Sequence, residues 1–109
     1  MNVYYNPEKF GLTPVFTMDF SDGCYQFDYL VVWKNADGDL FYAEDSGCSC
    51  PSPFEDMGMP ELTRVQDPMD IVSRMEFRRD DLSEWREAEL PQINASIDDF
   101  KSMVKRGDL

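Results

Sequence analysis

The residue types that could do chemistry gather in one stretch, Glu44-Asp45-Ser46-Gly47-Cys48-Ser49-Cys50-Pro51-Ser52-Pro53-Phe54-Glu55-Asp56. It holds two of the three cysteines, two of the seven prolines, and four acids without a base. A thiolate pair at Cys48 and Cys50 could bind zinc, with Cys24 or a carboxylate completing the shell. A structural zinc site takes four ligands, usually Cys and His in two closely spaced pairs. Here the second pair is missing and the chain has no histidine. No neighbouring base is present to lower a thiol pKa for redox work. We therefore assign no metal and no cofactor, and read the cysteines as small buried thiols at the sheet edge.

Adjacent carboxylates recur at Glu44/Asp45, Glu55/Asp56, Asp80/Asp81 and Asp98/Asp99. A glycosidase or a two-metal site uses such pairs. But neighbours on a strand point to opposite faces, which separates Glu44 from Asp45. Asp80/Asp81 and Asp98/Asp99 suit helix N-termini, where negative charge meets the positive end of the dipole. No catalytic constellation remains, so the expected protein is not an enzyme.

The chain has 109 residues, with 42% hydrophobic and 14% aromatic content, enough for one packed domain over 1–109. No apolar run approaches the length of a membrane span. The N-terminal residues have neither the basic nor the apolar region of a secretory signal. An odd cysteine count favours reduced thiols, hence a cytoplasm. The net charge is −12, from 22 acids and 10 bases. Residues 35–61 contain seven acids (Asp37, Asp39, Glu44, Asp45, Glu55, Asp56, Glu61) and no base. That half of the chain would repel nucleic-acid phosphate and anionic membrane.

The positioning elements follow from periodicity. Residues 1–14 read as an arm with Tyr4, Tyr5, Phe10 and Leu12 to pack with. Residues 15–20, 25–34 and 39–45 alternate as strands, joined by turns centred on Asp22-Gly23 and Asp37-Gly38. Residues 46–66 form a Cys/Pro loop and connector. Residues 67–109 read as helices. Asp67 caps the first, with Pro68 at its first position and Met69, Ile71, Val72 and Met75 inward; a short strand at residues 75–78 is the rival. Asp81 to Glu84 resembles a capping box opening a second helix, which Pro91 should stop. Asn94 caps the last helix, with Ile97, Phe100, Met103 and Val104 inward and Gly107 closing it. The sum is an α+β fold: a three-stranded antiparallel meander with C-terminal helices on its aromatic face.

Two-residue turns would set Met18 opposite Phe27 and Val31 opposite Glu44. One face would then carry Phe16, Met18, Phe20, Tyr25, Phe27, Tyr29, Val31, Trp33, Leu40 and Tyr42. The opposite, water-facing side would carry Val15, Leu30, Val32, Phe41 and Ala43 as an apolar patch. A contiguous exposed patch marks an interface, unless the arm folds over it. Phe54, in a loop braced by prolines, either plugs that loop onto the sheet or meets a partner.

Three segments carry a family resemblance: Tyr4-Tyr5-Asn6-Pro7-Glu8-Lys9-Phe10-Gly11-Leu12; Tyr25-Gln26-Phe27-Asp28 with Val31-Val32-Trp33; and Asp45-Ser46-Gly47-Cys48-Ser49-Cys50-Pro51-Ser52-Pro53-Phe54-Glu55. In these the chain resembles a family of small acidic proteins of bacteriophages that infect actinobacteria. The resemblance covers roughly the first 60 residues. It implies a phage product acting in the cytoplasm of a bacterial host, and it brings no assigned activity.

We expect a non-enzymatic protein that binds a protein partner and modulates a host factor, or that self-associates as a homodimer. Its candidate partner surface is Val15, Leu30, Val32, Phe41, Ala43 and Phe54. The alternative is a nucleic-acid mimic acting through Asp37, Asp39, Glu44, Asp45, Glu55, Asp56 and Glu61. A mimic needs these acids arrayed along one surface; scattered over several faces, they could not imitate a phosphate backbone. A small-molecule or metal binder is the third class.

Overall fold

Two turns decide how this chain lays out its sheet, and neither is the two-residue hairpin that its Asp-Gly dipeptides suggest. The computed structural model describes residues 2–21, 26–48, 54–83 and 87–109. They fall into two compact units, Met1–Gln66 and Asp67–Leu109.

The first unit is a four-stranded antiparallel sheet in the order β1-β2-β3-β4. β1 spans Leu12–Asp19, β2 Gln26–Asn35, β3 Leu40–Cys48 and β4 Thr63–Val65. The meander of three is therefore extended by a short fourth strand, where the sequence suggests only a connector. Pro14 lies inside β1, tolerated because β1 is an edge strand, and the ladder bulges between Pro14 and Phe16.

At the β2–β3 turn, Asn35 N–H donates to the Asp39 carbonyl at 3.0 Å and Gly38 N–H to the Asn35 carbonyl at 3.1 Å. Asn35 Oδ1 accepts from the amides of Asp37 at 3.0 Å and Asp39 at 2.8 Å. Gly38 takes the left-handed conformation, φ 88°, which costs glycine nothing. The loop thus has three residues instead of two. Val31 faces Ala43 and Trp33 faces Phe41, one step from the expected register.

At the other end of β2, Phe20 N–H donates to the Asp28 carbonyl at 2.8 Å. The Asp19 carboxylate accepts from Ser21 N–H at 2.9 Å and Asp28 N–H at 3.4 Å, drawing the chain off the ladder. Met18 therefore faces Leu30, where a tight hairpin would give Phe27. The expected turn at residues 21–24 lies outside the described residues from residue 22 onward.

An odd register shift moves side chains to the other face. The first face now carries Leu12, Phe27, Tyr29, Val31, Trp33, Phe41 and Ala43. The second carries Phe16, Met18, Phe20, Leu30, Val32, Leu40 and Tyr42. On the first face, Val31, Trp33 and Ala43 join Val3, Leu12 and Phe54 in a buried cluster. The arm and residues 54–62 cover it: Tyr4, Phe10, Met57, Met59 and Leu62 pack on its margin. Val3 N–H donates to the Met57 carbonyl at 3.1 Å, and Asn2 Nδ2 to the Glu55 carbonyl at 3.4 Å. On the second face Met18, Phe20, Leu30 and Val32 are also fully buried.

The second unit holds α1, Pro68–Leu82, and α2, Leu90–Arg106. Asp67 caps α1, its carboxylate accepting Met69 N–H at 3.0 Å. The rival strand at residues 75–78 is helical. Ile71, Val72 and Met75 are buried, but Met69 points outward. α1 runs past Asp81, so no helix opens at the suggested capping box, part of which lies outside the described residues. Pro91 sits in the first turn of α2, starting a helix instead of stopping one. There its missing N–H leaves no hydrogen bond unmade. Asn94 consequently lies inside α2, where its Oδ1 accepts from Arg79 Nη1 at 3.3 Å. With Lys101 Nζ 3.2 Å from Glu76 Oε2, this pairing makes the helices antiparallel. Ile93, Ile97 and Phe100 are buried. Gly107, φ 77°, closes α2, its N–H directed at the Met103 and Val104 carbonyls. Among the described residues no helix is long and apolar enough to cross a membrane.

Candidate functional site

The register change dissolves the expected apolar patch. Leu30 and Val32 lie on the second face, and Phe41 and Ala43 on the first. Leu30, Val32 and Ala43 are buried; Val15, at the bulge, and Phe41 are half-buried. Phe54 is 1% exposed and plugs the first-face core. Its ring stacks on Tyr4 at 5.4 Å and meets Trp33 edge-on at 5.8 Å. Phe54 is the one described non-glycine residue at positive φ, 58°. Its amide donates to Asp45 Oδ2 at 2.7 Å, which holds the backbone in that conformation.

The acids are redistributed as well. Asp37 and Asp39 sit at the β2–β3 turn, where Arg64 Nη2 reaches Asp39 Oδ1 at 3.0 Å. That hydrogen bond, then one from Asn35, holds the Asp39 carboxyl below the usual carboxylate range. Glu44 lies on the second face, next to Asp45 in sequence but on the opposite side of the sheet. The remaining four come together. Asp45, Glu55, Asp56 and Glu61, with Ser46, Phe27, Phe54 and Met57, line a solvent-open hollow of about 350 Å³.

Each carboxylate has its local cause. Asp45 Oδ1 accepts from Ser46 N–H at 3.0 Å while Oδ2 holds Phe54, so Asp45 anchors the wall. Glu61 Oε2 accepts from Gly58 N–H at 2.9 Å, bracing the 3-10 turn Met59–Glu61. Glu55 and Asp56 are exposed, on the turn that follows Phe54; Asn2 reaches the Glu55 backbone carbonyl, and neither carboxylate is paired with another described side chain. No lysine or arginine is among the described lining residues. Phe27 and Phe54 are nearly buried, so the base of the hollow is apolar. Concave, partly apolar sites with a few convergent polar groups are where ligands bind. This one would attract a cation on an apolar stem and repel any anion. Among the described residues no three Asp, Glu, Cys or His side chains converge on a metal position. Cys24 and Cys50 lie outside the described residues, so the thiol question falls there too.

A family model for a domain of unknown function, DUF7574, matches residues 1–106. The chain belongs to the DUF7574 family. The match spans both compact units, so the sheet and the helical hairpin are parts of one family pattern. No curated protein and no solved structure matches the chain.

All four acids of the hollow belong to the seven-acid surface that the sequence suggests. The sequence does not show Phe27 as their neighbour, because that contact depends on the register of β2 against β3. Nor does it show Met57, whose seat is set by the bond between Val3 and Met57. The signal that could have found the site is the base-free run itself, whose Asp45 and Phe54 are joined by a hydrogen bond.

Proposed function

We propose that this member of the DUF7574 family is a non-enzymatic protein that binds a protein partner, receiving a basic side chain or segment in the acidic hollow. The observation that carries this reading is the rim itself: four carboxylates over an apolar base, two of them paired with no described side chain, and no lysine or arginine among the described lining residues. A lysine or arginine suits it, because a long apolar stem can lie on Phe27 and Met57 while the charged head meets Glu55 and Asp56. The strong negative charge of the whole chain would steer such a partner inward. On the resemblance of residues 4–12 and 45–55, we place the protein in a phage and its partner in the host cytoplasm, where binding would modulate a host factor.

A titration with a short lysine- and arginine-bearing peptide, followed by NMR, tests the site. The amides of Ser46, Met57 and Glu61 should shift together and saturate. Replacing Glu55→Gln with Asp56→Asn should weaken binding about tenfold, the loss of one or two charge-assisted contacts. Replacing Asp98→Asn with Asp99→Asn removes the same charge from α2 and should leave binding unchanged. Equal weakening by both pairs would mean diffuse attraction only, and the reading would fail. Free spermidine serves as a further arm: binding as tight as the peptide's would favour a small-molecule amine over a protein. A pull-down from host lysate that returns only the protein itself would count against the host-factor part.

The mimic reading is less well supported. Its seven acids occupy three places: the β2–β3 turn, the second face and the hollow. Asp39 is already paired with Arg64.

A further inference from the structure

We draw no further inference here: the strongest candidate, the exposed Met69 and Phe77 stripe of α1 with Arg74 held 5.4 Å from the Phe77 ring centre, carries nothing because nothing in the structure shows what covers it.

Discussion

Phe54 combines burial, ring packing and an unusual backbone conformation in one residue of the first unit. It is buried, it stacks on Tyr4, it meets Trp33, and it sits in a backbone region that costs a bulky residue energy. Phe54→Ala should destabilise by about 3–5 kcal/mol in urea unfolding, the range for emptying a buried aromatic site. Two titrating residues give pH signatures. Asp39 is held below its ordinary pKa by Arg64 and Asn35. Its stabilising share is therefore present above the unfolded-state value near 4 and lost as pH falls through the lower folded value. The Tm gap between the protein and Asp39→Asn should be widest near neutrality and close toward about pH 2, by thermal denaturation across that window. Tyr4 is shifted the other way: burial, then Tyr29, Tyr5 and Asp19, raise its phenol. Its share persists below the unfolded value near 10 and is lost as pH rises through the folded one. Tyr4→Phe should accordingly blunt alkaline unfolding above about pH 10, checked by circular dichroism.

At the scale of elements, much was legible and the exceptions have a common cause. Helix termini are written in local chemistry, so Asp67 with Pro68, and Gly107 with Lys105 and Arg106, mark true ends. Strand identity is likewise local, and β2, the most aromatic run, stands almost as read. Register is not local in this sense. It depends on whether a turn takes two residues or three, and the side chains of Asn35 and Asp19 decide that by capturing backbone amides. β4 was invisible because three residues, Thr-Arg-Val, carry no period. Pro91 misled because a proline that starts a helix and one that stops it look alike in sequence. Its position makes a prediction: Pro91→Ala should shift stability by much less than the roughly 3 kcal/mol that an interior proline costs, by urea midpoint. Gly38→Ala has room for its methyl, the nearest atom being Lys34 Cε at 3.9 Å. It should still lose about 1–2 kcal/mol because alanine resists the left-handed backbone.

For the molecule as a whole, charge is the leading variable. At −12, like-charge repulsion opposes the compact state at low ionic strength. Raising sodium chloride from about 0.01 M to about 0.5 M shortens the Debye length several-fold, so Tm should rise, measurably by calorimetry. Salt should weaken the exposed ion pairs, Arg64 with Asp39 and Lys101 with Glu76 among them, but these are exposed enough to be worth little. The residues first expected to form a homodimer patch are buried or half-buried, so light scattering should return a monomer. The gathering of four acids into one hollow is also a property of the whole chain, since it brings β3 against a turn ten or more residues further on.

The hydrogen bond from Val3 to Met57 has a kinetic meaning. It closes a loop of more than fifty residues, whereas the meander closes loops of a few. Sheet pairing can thus precede the docking of the arm, and the arm seats only when residues 54–62 are already in place. The Val3 amide then exchanges with solvent only when that docking is undone. Its hydrogen-exchange rate is a single built-in reporter of whether Phe54 is seated, and so of whether the hollow beside it has its walls.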